Sequence, residues 1–307
     1  MKVARNLLIA IVSGVAVYYA LMFTGCLVFS LSYTQLLGTM QHAVHTVSNA
    51  PLIHYMLAVQ TVSIFLVPAF VLLRLQHIPL VHAHTFAIRP VYVLCAIIVL
   101  ILCNIPGVNL LSYCNTHFVQ HIVDGNSALM QSYSHNEQMN EFLMNTTPVK
   151  NLIVNIVTIA LLPAIGEELF FRGLLQQILQ RRLANIHIVI FATALIFSLF
   201  HNDVFNIVPR LAMGILFGYL FFLTRNVYYP IIAHCVHNAT VVLVYFLIHN
   251  NFLPPHIATI GEIGSGAFVG VISLVIVGGA MIWWWRKFQL ISGISRVSVT
   301  EMSAKNF

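Results

Sequence analysis

The sequence predicts an all-α, polytopic membrane bundle of about eight transmembrane helices. Three observations carry this prediction. Of 307 residues, 59% are apolar and only 7% are Asp, Glu, Lys or Arg, where a soluble domain carries about 25% charged residues. Too little charge remains to cover a water-facing surface, which excludes soluble, disordered and fibrous classes. The apolar residues also gather in runs of the ~20-residue length that crosses a bilayer core. Finally, the basic residues segregate. With the N-terminus inside, Lys2, Arg5, Arg74, Arg89, Arg181, Arg182, Arg225, Arg286, Lys287, Arg296 and Lys305 fall on the cytoplasmic side and Lys150 on the other. Excess Lys and Arg mark cytoplasmic loops, so both termini are expected in the cytoplasm and the lipid bilayer is the first expected partner. The net charge of +6 implies no nucleic acid, because the basic residues form no cluster on a water-facing surface. The five Cys include no CxxC pair and read as small core residues.

The spans fall in order at roughly 7–32, 52–73, 91–112, 150–182, 186–203, 205–224, 227–249 and 266–285. The first follows Lys2 and Arg5, but its run of roughly 26 residues is too long for a signal-peptide core, and no A-x-A site follows. After the third comes the longest polar stretch, Tyr113 to Thr147, with Asp124, Glu137 and Glu141; 113–147 is expected as an outer surface loop. The fourth run is too long for one straight crossing. It reads as two legs, 150–163 and 164–182, bent near Pro163. The last ends in Trp283, Trp284 and Trp285 before Arg286 and Lys287, as an interfacial aromatic anchor does. The other connections are short and no repeat is visible, so 1–307 is one integral membrane domain.

Charge inside a membrane costs at least about 2.5–3.5 kcal/mol per group, so an intramembrane ionisable residue is a functional candidate by default. Glu167, Glu168 and Arg172 lie in the fourth span, His201 ends the fifth, Arg210 is in the sixth, and His234, His237 and Asn238 are in the seventh. Residues four apart share a helix face. Glu168 and Arg172 can therefore pair along one helix, leaving Glu167 to face a neighbour. His234 and Asn238 project together, while His237 need not share their face. Counted from the basic ends of their helices at 1.5 Å per residue, Glu167, His201, His234 and Asn238 lie about 21, 24, 14 and 20 Å deep, a common band. Arg210 reads as structural, snorkelling or paired with Asp203, and His54, His187 and His249 read as ordinary interhelical or interfacial histidines.

A carboxylate beside an imidazole can hold a water and take its proton. A second His with an Asn can bind the oxyanion formed when that water attacks an amide. No Ser or Cys sits beside a base, and Cys235 points away from its neighbour His234. HExxH is absent, so a zincin is not supported. An intramembrane set of this kind also suits a proton- or ion-coupled transporter, although no inverted repeat is present. A non-catalytic membrane scaffold is the third alternative.

The motifs Glu167-Glu168-x-x-x-Arg172, Phe197-x-x-x-His201 and His234-x-x-x-Asn238 resemble the CAAX-prenyl-protease and bacteriocin-processing (Abi) family of intramembrane endopeptidases. The flanking FRGLL, Gly214 and Gly218 are similar too, and the resemblance covers 150–240, which it marks as the catalytic core. It implies peptide-bond hydrolysis within the membrane on a peptide or membrane-protein substrate, near the C-terminus of prenylated proteins or in bacteriocin processing or immunity. Glu167 and His201 would activate water, His234 and Asn238 would stabilise the oxyanion, and Glu168 and Arg172 would support them. No cofactor is implied; if zinc were used, Glu167, His201 and His234 would be its ligands.

Overall fold

Each apolar run closes into a helix because lipid offers no partner for backbone N–H and C=O groups, and a helix satisfies them within its own segment. The computed structural model describes residues 2–41, 50–81, 90–125 and 127–291. The helices are α1 (Lys2–Phe29), α2 (Tyr33–Gln41), α3 (Ala50–Gln76), α4 (Pro90–Ile122), α5 (Ala128–Met144), α6 (Val149–Gln180), α7 (Ile186–Phe200), α8 (Ile207–Thr224), α9 (Tyr228–His249) and α10 (Ala267–Ile291). Among the described residues no strand forms beyond an isolated bridge between Val81 and Asn226. Seven helices, α1, α3, α4, α6, α8, α9 and α10, are long and apolar enough to cross a membrane. The expected fifth span, α7, has only 15 residues, about 22 Å, which falls short of a full ~30 Å core. On α1 and α10, Leu8, Phe23, Val275 and Trp283 are exposed, as lipid-facing side chains are. This is a multi-pass integral membrane bundle. Arg89, Arg296 and Lys305 of the charge pattern lie outside the described residues.

The centre of the bundle is α8. Its Met213, Leu216, Phe217 and Leu220 pack against Val93, Ile97, Leu100 and Ile101 of α4, Ala233 of α9 and Val277 of α10. Small residues bring α7 in close: a Cβ on Gly214 would sit 2.9 Å from the Ala194 Cβ, and one on Gly218 would sit 2.8 Å from Ile190. Such small-xxx-small spacing is how helices approach in lipid. The same glycines leave carbonyls uncovered, and α6 uses them. Arg172 Nη2 donates to the Gly214 carbonyl at 2.9 Å, and Gln176 Nε2 donates to the Gly218 carbonyl at 3.0 Å. Two donors four apart on α6 thus fix its height against two acceptors four apart on α8.

One expectation needs correction. Residues 113–147 do not form a loop: α4 runs on to Ile122, and Ala128–Met144 form α5, capped where Ser127 accepts from the Met130 N–H. The polar half of α4 remains helical because its side chains have partners. Ser112 donates to Asn206 Oδ1, Asn115 to the Val204 carbonyl and Thr116 to the Phe205 carbonyl. These bonds grip the turn that follows His201. The fourth span, α6, is one helical segment from Val149 to Gln180, and its α geometry is interrupted beside Pro163. Wide π turns over Ile156–Leu161 and Leu169–Gln176 flank the short α segment Leu162–Glu168. Pro163 follows directly on the first π turn, whose altered hydrogen bonding accommodates a ring that would clash in an unbroken α helix.

Candidate active site

The adjacent carboxylates of α6 face different surroundings. Glu168 is fully buried, and its Oε1 accepts from Arg172 Nη1 at 2.8 Å and from His234 Nδ1 at 2.9 Å. Arg172, also fully buried, lies between the rings of Phe197 and Phe217, its guanidinium carbon 4.8 and 5.4 Å from their centroids. Phe217 in turn stacks on the His234 ring at 5.0 Å. A charge removed from water is tolerated when it is paired and bonded, and this side of the site is nearly complete in that sense.

Glu167 is the opposite case. Its side chain is 11% exposed, faces a cavity, and has no hydrogen bond among those described; His201 Nε2 lies 3.8 Å from its Oε2. That separation is too long for a direct bond. The chemistry of His201 is fixed from behind. Its Nδ1 lies 2.8 Å from the Phe197 carbonyl, and a carbonyl only accepts, so Nδ1 carries the proton. In the neutral ring, Nε2 then presents a lone pair to Glu167. Two acceptors facing one another need a donor between them, and a water with its two hydrogens is the smallest that serves.

The cavity has a volume of about 480 Å3 and is lined by Glu167, His201, Arg210, His234, His237 and Asn238, among others. Three helices, α6, α7 and α9, therefore bring all the expected site residues to one region: Glu168 and Arg172 lie behind it, and Glu167, His201, His234 and Asn238 line it. Asn238 also has a structural task. Pro163 has no N–H for the carbonyl of Ile159 four residues back, and Asn238 Nδ2 donates to that oxygen at 3.3 Å. An amide NH2 has two hydrogens, so one remains for the cavity.

Two lining residues lay outside the expected set. Arg210 pairs with Asp203 as expected, at 2.9 Å, in a geometry not aligned as a hydrogen bond; it also borders the cavity. His237, three residues after His234, lines the same cavity because i and i+3 share a helix face nearly as well as i and i+4. His54 and His187, by contrast, bond Thr158 and Tyr219 respectively. Among the described residues no three His, Cys, Asp or Glu side chains gather as a metal-ligand set.

These positions can be compared with known proteins. Residues 149–240 match the family model Type II CAAX prenyl endopeptidase Rce1-like. No curated protein and no solved structure matches the chain. The Rce1-like stretch begins at the first residue of α6 and ends in α9, two residues past Asn238, so it contains every residue of the three motifs. This agrees with the CAAX-prenyl-protease and bacteriocin-processing resemblance and supports a CAAX-type intramembrane endopeptidase. The helices outside the Rce1-like stretch still shape the site: α3 packs Phe65 on Phe171, and α4 holds the turn after His201.

Proposed function

We propose that this chain is an intramembrane endopeptidase of glutamate type, in which Glu167 and His201 hold and deprotonate one water. The observation that carries the reading is their 3.8 Å separation across a shared cavity, two acceptors with no donor between them. Water placed there donates one hydrogen to each. As its oxygen attacks the substrate carbonyl carbon, the Glu167 carboxylate takes the proton. The carbonyl oxygen becomes an oxyanion held by Asn238 Nδ2 and by His234 Nε2. For His234 to donate from Nε2, its ring must carry protons on both nitrogens, with Nδ1–H donating to the Glu168 carboxylate. Collapse breaks the C–N bond, and Glu167 returns its proton to the leaving nitrogen. The products are a carboxylic acid and an amine, which leave as carboxylate and ammonium once the acid's proton passes to the amine, and Glu167 ends ionised as it began.

The Glu168–Arg172 pair holds His234 in place, and the Pro163–Asn238 link ties α9 to the helix that carries the base. No step requires a metal. On the charge pattern we take both termini as cytoplasmic, which requires the short α7 to complete an eighth crossing and puts the α5 end of the bundle on the opposite face.

The test compares proteomes of cells carrying wild type and Glu167→Gln for new C-terminal and N-terminal peptides. Substrates should yield neo-termini only with wild type. Identical termini from both proteins would overturn the reading. In parallel, activity of the purified chain should survive chelators; activity that chelators remove and zinc restores would reassign Glu167 and the histidines as ligands.

A further inference from the structure

The cavity is not closed at its α5 end. A second chamber of about 370 Å3 adjoins it, and Asn109, Ser112, Glu137, Asn206 and Val241 line both. One face of α9 runs through the pair. His234, His237, Asn238 and Val241 border the first chamber, and Val241, Val244 and Tyr245 border the second. From position 234 to 245 the helix rises about 16 Å, the span of about five extended residues.

At the junction His237 is unsatisfied. Its Nδ1 is fully enclosed and has no hydrogen-bond partner. Either neutral tautomer leaves that nitrogen unsatisfied, as a stranded donor or a stranded acceptor, so Nε2 is the atom the ring offers to whatever fills the cavity. The second chamber has a distinct chemistry: its charged lining is Glu137 and Glu262, with no Lys or Arg among its lining residues. Neither carboxylate has a described ion pair. Burial pushes both Glu137 and Glu262 above the usual carboxylate range, and the nearby charges of Asp203 and Glu141 push Glu137 further. A chamber whose lining carries two carboxylates and no Lys or Arg, with His117 as its one basic side chain, favours a cationic occupant.

We propose that the two chambers are one substrate cleft, in which His237 holds the peptide main chain beside the scissile bond and the second chamber receives a positively charged side chain a few residues away. This rests on the peptidase reading for the site but not on turnover, so binding can test it separately. The probes are three fluorescein-labelled synthetic peptides: four apolar residues alone, the same four followed by Lys-Ser-Lys, and the same four followed by Glu-Ser-Glu. Each is also made in the reverse order. Binding is read by anisotropy on the full chain in nanodiscs, with Glu167→Gln as background so that nothing is cut.

The Lys-Ser-Lys peptide should bind about tenfold more tightly than the Glu-Ser-Glu peptide, a difference of about 1.4 kcal/mol. Adding Glu137→Gln and Glu262→Gln should abolish that preference. His237→Phe keeps a flat ring without nitrogens and should weaken all three peptides about tenfold, leaving the Lys preference intact, and His237→Asn should recover part of the loss. Melting temperatures in the same nanodiscs identify any variant that has merely unfolded. Equal binding of the Lys and Glu peptides, or a preference that survives the double substitution, would overturn the second chamber's role. His237→Phe with unchanged affinity would overturn the role of His237. Binding as expected without cleavage by wild type would leave the cleft standing and sink the peptidase reading instead.

Discussion

Glu167 and Glu168 are neighbours in sequence, yet they sit in two different environments. Glu168 is bonded to Arg172 and His234 inside a shell of Phe197 and Phe217. Glu167 faces His201, at 3.8 Å, across a cavity that Arg210 and His234 also line, and no described hydrogen bond holds it. The first region has spent its charge on holding three helices together. The second has kept its charge free, which a packed core would not tolerate without a use for it. Consecutive residues on a helix diverge by about 100°, so one turn of α6 can serve both purposes. In the proposed mechanism Glu168 is accordingly the anchor and Glu167 the reactive group.

The sharpest break of this comparison is Glu167→Gln. The amide keeps the shape and cannot take a proton, so turnover should fall by about 10⁴, the upper range for loss of a general base. Melting temperature should barely move, since Glu167 makes no bond that supports the fold. A variant that unfolds while Glu168→Gln stays stable would reverse the two assignments.

Arg172→Ala attacks the other region. It strands the Glu168 carboxylate in a buried site, and breaking such a pair costs about 3–5 kcal/mol. Expression and melting temperature should fall together with activity. Arg172→Lys restores the charge but not the fork that reaches both Glu168 and the Gly214 carbonyl, so it should recover only part of the stability. Equal melting temperatures for wild type and Arg172→Ala would show that the anchor is not one.

Asn238→Ala lies between the regions. Loss of one oxyanion donor costs about 10²–10³ in rate, with His234 left to give residual turnover. Because Asn238 also caps the Ile159 carbonyl, a small loss of melting temperature should accompany the rate loss. Asn238→Asp is the informative partner: at neutral pH its carboxylate would repel both the oxyanion and the Ile159 oxygen, and both readouts should be worse than in the Ala variant.

Much of this geometry was legible in the sequence, for reasons that can be named. The Glu168–Arg172 pair follows from spacing on a single helix. The convergence of Glu167, His201, His234 and Asn238 follows from depth along helices of known rise. The bond from His234 to Glu168 was not legible, because it depends on how α9 is rotated against α6. The Asn238 cap carried a readable signal: a proline strips a donor from the residue four before it, and something must replace it. The helicity of 113–122 and 128–144 was hidden by polar residues that resemble loop composition until their partners on the 203–206 turn are known. His237 was set aside because i+3 looked like a different face.

The smallest expected effect concerns Glu137, a carboxylate outside the membrane spans. Burial pushes its pKa upward, and the charges of Asp203 and Glu141 add to this. A carboxylate raised in the folded state binds its proton more tightly there than in the unfolded chain. Its contribution is therefore fully present below the unfolded value of about 4.3 and is lost as pH rises through the folded value. Glu137→Gln removes this linkage. Wild type and variant should melt together near pH 4, and the variant should melt slightly higher at pH 7.5. The gain should be small, because the Glu137 side chain is exposed and solvent screens its neighbours. Melting curves of both proteins in one detergent across that range decide it. A variant that is less stable at neutral pH would mean that Glu137 has a stabilising partner, and the contrast with Glu168, the carboxylate that does, would narrow.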